Sequence, residues 1–320
     1  MKFLIIIPTH NEEENILFCL KSLENQTFQD FECVIVNDGS TDKTKEIAED
    51  FINHQPSTNK YKLKNLDFSK HEPGAKVVRT FNKGLETVDL KDFDIICKFD
   101  ADLIFPENYL GEINKIYQQN PKAGMVSGLV YINKNSNTQT LKNPITSEGW
   151  EFENLSSKNH VRGPIKSYRK ECFLAMNGLR PVLGWDNIDV MLAKMNGFEV
   201  ITNKEIWVKH LRPTAYKYKK QKAVKLGEYF YNIGLNLPLA MISSAKSSLK
   251  NKSIAEFFIT MKSFLKQNGK RELSENEIDN IKTFILHMSK PENQNKCNAS
   301  INFFKNLSSI KYNQQLKQQI

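Results

Sequence analysis

Two stretches decide the fold. The first is Phe3-Leu4-Ile5-Ile6-Ile7-Pro8 followed by Thr9-His10-Asn11-Glu12; the second is Glu32-Cys33-Val34-Ile35-Val36 followed by Asn37-Asp38-Gly39-Ser40-Thr41-Asp42. Each is a short, continuous apolar run that breaks abruptly into polar turn residues. Such runs suit strands buried on both faces, which is the situation in a parallel sheet. Between them, Ile16, Leu17, Leu20 and Leu23 fall at helical spacing within 14–23. Further along, 61–66 reads as a third strand, 75–88 as a helix, and Phe93-Asp94-Ile95-Ile96-Cys97-Lys98-Phe99 as a fourth strand. Pro106 suits the first position of a helix running to about 119. A fifth strand follows at 125–132. Strand–helix alternation of this kind predicts an α/β domain with a mostly parallel, Rossmann-related sheet.

The order changes in the second half. Residues 169–176 and 187–195 read as helices, with strand-like runs at 198–202 and 206–209. Beyond Pro213 the composition turns to Lys, Tyr, Asn and Ser at helical spacing. We therefore divide the chain into a first half of an α/β domain (1–105), a second half (106–214), and a basic, mostly helical C-terminal region (215–320). The last stretch, from 293, is rich in Asn, Gln and Lys and is expected to fray.

Composition excludes several classes. The chain has 320 residues, 40% hydrophobic and 25% charged, ordinary for a soluble globular protein. No apolar run reaches the roughly 18–20 residues of a membrane helix. The N-terminal run is too short for a signal peptide and is followed at once by Glu12, Glu13 and Glu14. A cytoplasmic protein is expected. Five scattered cysteines without a CxxC pair favour free, mostly buried thiols over zinc or disulfides. The net charge of +9 is uneven: 215–320 holds 18 Lys and Arg against 7 Asp and Glu, net +11, which leaves −2 for 1–214. That asymmetry points to an anionic partner. No zinc-finger, basic-zipper or RNA-recognition signature accompanies it, so an anionic membrane surface is expected and nucleic acid is not.

In open parallel sheets, ligands bind beyond the carboxyl ends of the strands. Three polar turns should share that edge here: Pro8 to Glu12, Asn37 to Asp42, and Asp100-Ala101-Asp102. No GxGxxG follows the first strand and no GxxxxGK[ST] exists, so the glycine-rich phosphate loops are missing. A metal held by carboxylates is the natural substitute, since Mg²⁺ and Mn²⁺ bind through one or two carboxylates plus phosphate oxygens. Asp100 and Asp102, two apart at a strand end, fit that role. One can hold the metal while the other meets a ribose hydroxyl. In the second half, Asp186 and Asp189 open a helix beside Trp185, which can stack on a sugar or lie in the core. His210 can be a second metal ligand or a structural histidine. Arg212 can offset diphosphate charge. Arg162 and Lys166 have weaker claims.

The runs IIIPTHNEEENI, CVIVNDGSTDKT, FNKGLE and KFDADLIFP, with GWDNIDVMLAKMNGF and VKHLRPT later, resemble those of the family 2 glycosyltransferases with the GT-A fold. The likeness covers about 1–214. It implies transfer of a sugar from a nucleoside-diphosphate donor to an acceptor hydroxyl with inversion, in cell-surface polysaccharide or glycolipid synthesis; with the basic C-terminal region, a place in the cytoplasm at the inner face of the membrane is expected. It implies that Pro8, Thr9 and Glu12 line the nucleotide pocket, that Asp38 meets the base and Asp100 the ribose, and that Asp102 binds the metal, Mn²⁺ or Mg²⁺. The pair often written Glu-Asp in such proteins is Asp186-Asn187 here, and Asp186 is the expected base. A carbohydrate or lipid-linked acceptor follows from the same likeness. Two rival readings are a non-catalytic scaffold and a nucleotidyltransferase. The second would need a Gly- and Lys/Arg-rich loop where the acidic PTHNEEE stands.

Overall fold

The computed structural model describes residues 1–55, 60–67, 72, 74–133, 148–212, 221–269 and 271–288. The elements in chain order are β1 (Phe3–Thr9), α1 (Ile16–Glu24), β2 (Phe31–Asp38), α2 (Thr44–Asn53), β3 (Tyr61–Leu66), α3 (Ala75–Leu85), β4 (Ile95–Phe99), β5 (Leu103–Ile104) and α4 (Tyr109–Gln119). There follow β6 (Ala123–Asn133), β7 (Trp150–Phe152), β8 (Ile165–Arg169), α5 (Lys170–Ala175), α6 (Trp185–Met195) and β9 (Glu199–His210). Four helices close the described chain: α7 (Lys222–Asn232), α8 (Leu237–Asn251), α9 (Ile254–Lys266) and α10 (Glu275–Met288).

One sheet runs β3-β2-β1-β4-β8-β6-β9-β5, with β7 on β6. Successive residues of β1 alternate between two cores. Leu4 and Ile6 join α3, α5, α6 and the C-terminal helices, while Phe3, Ile5 and Ile7 join α1, α2 and α4. The apolar run is continuous because both faces of the strand are covered. Strands β3, β2, β1 and β4 are all parallel, so the ends of β1, β2 and β4 emerge on one edge.

Beyond β4 the sheet is mixed. β8 pairs antiparallel with β4 and β6, while β6 and β9 are parallel. The expected mostly parallel order therefore holds for the first half only. Strand β8 went unforeseen because Ile165-Lys166-Ser167-Tyr168-Arg169 lacks an apolar run; the helix expected over 169–176 begins after it, at Lys170. The two strand-like runs after Phe198 are one strand, which follows β6 through two irregularities in register. Pro106 sits in the turn before α4 rather than at its first position, and its carbonyl accepts from the Tyr109 N–H at 3.0 Å. Asp42 precedes the first turn of α2 and accepts from the Thr44 N–H at 3.0 Å. Cys19, Cys33, Cys97 and Cys172 are buried free thiols. Cys297 and the stretch from 293 lie outside the described residues, as do the first three of the densest basic cluster, the lysines at 217, 219, 220, 222 and 225.

Candidate functional site

The first two turns are laced together by side chains. Asn11, in the left-handed region at φ 55°, donates its N–H to Ser40 Oγ at 3.0 Å and accepts from the Thr41 N–H at 2.8 Å. Asparagine tolerates that backbone well. Glu12 donates its N–H to Thr44 Oγ1 at 2.7 Å, and His10 Nδ1 lies 2.7 Å from the Asp38 carbonyl. Thr9 turns its hydroxyl back to the Ile7 carbonyl, and Pro8 is half-buried opposite Val36. The Asp38 carboxylate is buried toward α3. It accepts from Thr80 Oγ1 at 2.8 Å and has the Lys76 ammonium 3.6 Å away.

Pairing of β5 with β9 sets Leu103 opposite His210, and the Leu211 N–H bonds the Asp102 carbonyl at 2.9 Å. The turn after β4 thereby meets the end of β9. A line of alternating charges results. Arg162 binds Glu153 at 2.9 Å, Glu153 faces His210 Nδ1 at 3.3 Å, and His210 Nε2 faces Asp102 at 3.4 Å. Arg212 then bridges Asp102 at 3.2 Å and Glu12. Burial and the nearby Asp102 charge push Glu12 up to about 7. Asp102 is also buried, but His210 and Arg212 outweigh burial and hold it below the ordinary carboxylate range. For His210, burial works against the charge, yet Asp102 and Glu153 raise it to about 10.

Among the described residues, no group of three or more His, Cys, Asp or Glu is arranged to hold a metal ion. Asp102 and His210 do fit as a two-donor set. A carboxylate and an imidazole nitrogen face each other, which suits Mn²⁺ or Mg²⁺ when diphosphate oxygens and water complete the shell. The cation would have to displace the proton on His210 and the Arg212 guanidinium.

Asp100 lies on the other side of the same turn. Its N–H bonds the Pro164 carbonyl at 2.9 Å, and its carboxylate pairs with Lys98, which is 2% exposed. Lys98 also reaches the Gly163 carbonyl at 3.4 Å. Gly163 in turn abuts the start of α6: a Cβ there would lie 3.5 Å from Asp186 Oδ2. Asp186 is half-buried, and among the described residues its carboxylate accepts a hydrogen bond only from its neighbour Asn187, at 3.2 Å. Asp189 is different. Its carboxylate is buried and takes Lys166 at 2.6 Å and 2.7 Å and the Tyr168 hydroxyl at 2.7 Å. Trp185 is a core residue, with the Lys98 and Lys166 ammoniums each 5.2 Å from its ring. It is not placed to stack on a sugar. Arg162 and Lys166 are likewise consumed by buried ion pairs.

Pro8, Thr9, Glu12, Asp38, Asp100, Asp102, His210 and Arg212 thus belong to one sheet edge, and Asp186 approaches it across Gly163. Sequence reasoning missed Lys98, Glu153 and Thr80. Lys98 left a signal, as a lone charge within a buried apolar strand. Glu153 and Thr80 left none.

A family model described as "Glycosyl transferase family 2" matches residues 4–176, and the chain belongs to that family. Its fold is the GT-A fold, and the chain spans only a small part of the length of the first curated relatives it matches, 7% to 28%. It is 24% identical to a dolichol-phosphate mannosyltransferase of Pyrococcus furiosus over 293 residues, 89% of this chain and 68% of that protein. It is 47% identical to a teichoic acid poly(glycerol phosphate) polymerase of Staphylococcus epidermidis, but over 51 residues, 16% of this chain and only 7% of that much longer protein. Among solved structures, a mannosyltransferase of Pyrobaculum calidifontis in complex with GDP-Man and Mn²⁺ superposes with a TM-score of 0.54 at 16% identity, covering 96% of this chain and 86% of that one. Residues 1–349 of Staphylococcus aureus TarS in complex with UDP give 0.50 at 15% identity, over 90% and 92%. At such identities the likeness carries the fold alone.

Proposed function

We propose that the enzyme moves a sugar from a nucleoside diphosphate to an acceptor hydroxyl with inversion, in the synthesis of a cell-surface polysaccharide or glycolipid. The observation that carries this reading is the meeting of Asp100, Asp102, His210 and Arg212 at one strand edge, with an available carboxylate, Asp186, across Gly163. Pro8, Thr9, Glu12 and Asp38 line the nucleotide side, and Asp100 meets the ribose. Asp102 and His210 would hold Mn²⁺ or Mg²⁺, whose chemistry is to offset charge on the diphosphate as a Lewis acid. Arg212 supplies a guanidinium for the same charge.

Asp186 takes the proton from the acceptor hydroxyl. The acceptor oxygen bonds to the anomeric carbon as the bond from that carbon to the diphosphate oxygen breaks, and the nucleoside diphosphate departs. Asp189 is unsuited to this role because Lys166 and Tyr168 already occupy its oxygens. The acceptor is a carbohydrate or a lipid-linked one.

A thermal-shift screen of nucleotide sugars with Mn²⁺ identifies the donor, since a bound ligand raises the melting midpoint by mass action. With that donor, Asp186→Asn should lower turnover by about 10²–10⁴, the usual contribution of a general base, and leave the donor shift unchanged. Asp189→Asn should instead lower the melting midpoint and spare most turnover per folded molecule. The assignment of the base fails if Asp189→Asn is inactive at wild-type stability while Asp186→Asn turns over normally.

A further inference from the structure

The C-terminal helices carry an apolar surface that the transfer chemistry does not use. Helix α9 is apolar on both sides. Its inner side, with Thr260, Met261, Ser263 and Phe264 buried, lies on α7. Ser263 Oγ donates to the Val224 carbonyl at 2.6 Å, and Gly227 lets the helices close up, since a Cβ there would lie 2.3 Å from the Thr260 carbonyl oxygen. The outer side bears Ile254, Phe258 and Leu265, spaced four and seven residues apart and so on one stripe. They are 78%, 63% and 64% exposed. Ile259 flanks the stripe, and Leu249, at the end of α8, is 78% exposed. Exposed lysines border these side chains: Lys262 and Lys266 on α9, Lys246 and Lys252 on and just after α8. The single acid of α9, Glu256, is half-buried and bonded to Asn251.

Large aliphatic and aromatic side chains ringed by lysines, on a helix lying along the surface, match an interfacial helix. Among the described residues no helix is long and apolar enough to cross a membrane, so the face would lie on a bilayer without spanning it. A second copy of the chain fits poorly. Lysine is depleted at the cores of protein interfaces, and a two-fold contact would set this lysine-bordered patch against itself. We propose that the outer face of α9, with the end of α8, inserts shallowly into an anionic phospholipid surface. Phe258, Ile254 and Leu265 enter the acyl boundary, while Lys262 and Lys266 extend to the headgroups.

The placement joins this face to the acceptor half. α7 lies against α9 on one side, and on the other its Tyr229 packs on Gly184 and its Asn232 bonds the Leu183 carbonyl at 3.0 Å, immediately before Asp186. Membrane insertion stands on the surface alone. Delivery of a lipid-linked acceptor toward Asp186 rests additionally on the proposed reaction.

The test is co-sedimentation of the full chain with phosphatidylcholine vesicles and with vesicles containing roughly one-third phosphatidylglycerol. The wild type should pellet with the anionic vesicles and be only partly released by salt, because apolar burial is not screened. The double variant Phe258→Ser/Leu265→Ser should cut partitioning on the order of tenfold or more at an unchanged melting midpoint, since both side chains point away from the core. Lys262→Gln/Lys266→Gln should weaken binding to anionic vesicles alone. The proposal is overturned if the wild type ignores anionic vesicles at low salt, or if the Ser/Ser variant binds as well as wild type. It is equally overturned by vesicle-free dimerisation that Phe258→Ser/Leu265→Ser abolishes. Crosslinks from Lys262 or Lys266 to lysines beyond residue 288, in a chain that ignores vesicles, would assign the face to the protein's own C-terminus. Donor-dependent thermal shifts, which do not involve this face, separate failure here from failure of the transferase reading.

Discussion

His210 is held between two carboxylates, Asp102 and Glu153, and each of these has a further cation of its own in Arg212 and Arg162. Removing the imidazole therefore leaves neither acid unpaired. With His210 as one of the two proposed metal donors, His210→Ala should keep the fold and lower Mn²⁺ affinity at least about tenfold. Calorimetric titration of Mn²⁺ in the presence of GDP or UDP measures it. An unchanged affinity with a reduced melting midpoint would make His210 purely structural. His160 shows the opposite electrostatics. Burial, with Lys166, Arg162 and Lys194 nearby, pushes it down to about 3. Free in the unfolded chain, a histidine titrates near about 6.5. Between those values the unfolded chain holds a proton that the folded chain lacks, so stability falls as pH drops from about 6.5 toward 3 and is unaffected above. The slope is at most about 1.4 kcal/mol per pH unit. His160→Gln should gain on wild type in melting midpoint at about pH 5 relative to about pH 8; equal differences at both would refute a half-buried imidazole held neutral.

At the scale of elements, the sequence was legible where burial alone decides. The runs of β1, β2, β4 and β6 are apolar because both faces are covered, and the acidic turns after β1, β2 and β4 follow from parallel topology. It was illegible where a polar residue is buried by virtue of a distant partner. Strand β8 carries Lys166 and Ser167 into the core because Asp189 and Tyr117 receive them. β9 crosses the polar stretch Asn203-Lys204-Glu205 because pairing with β6 resumes at Trp207. The same reason hid Glu153, whose partners Arg162 and His210 are distant in sequence, whereas Asp102 and His210 were readable from their strand ends. Gly184 is a feature of this kind with a sharp consequence. Its φ is +89°, and a Cβ would lie 2.1 Å from Tyr229 Cδ2. Gly184→Ala should cost about 3 kcal/mol from strain and overpacking together and lower turnover of the folded fraction, because α6 with Asp186 begins at that residue. Gly197, at φ +82° but with open space around it, is the control: its alanine variant should cost about 1 kcal/mol and leave turnover intact. Denaturant midpoints and turnover for both variants decide whether Tyr229 sets the start of α6; equal costs would mean that it does not.

For the whole molecule, charge and core divide the chain differently. Charge separates a nearly neutral 1–214 from a basic 215–320. The core does not respect that boundary. Leu4 and Ile6 of β1 belong to the same buried cluster as Leu226, Tyr229, Phe230, Ile233 and Leu235, and as Leu273, Ile278 and Ile281 near α10. Each such side chain contributes roughly 1.5–3 kcal/mol when buried, while a whole domain retains only about 5–15 kcal/mol of net stability. Losing the C-terminal contribution would therefore exceed what the rest can spare. We infer that the described helices are part of the catalytic body and that the native protein unfolds in one cooperative step. Scanning calorimetry should give a single peak whose calorimetric and van't Hoff enthalpies agree. A chain ended after Arg212 should expose Trp185, Ile188 and Leu192 and fail to give a cooperative melt. Two resolved transitions, or a cooperative melt from the 1–212 chain, would instead make the basic region a separate domain. Because the start of α6, which carries the proposed base Asp186, leans on α7, and α7 on α9, the proposed catalytic and surface roles have to be separated by outward-facing point variants rather than by truncation.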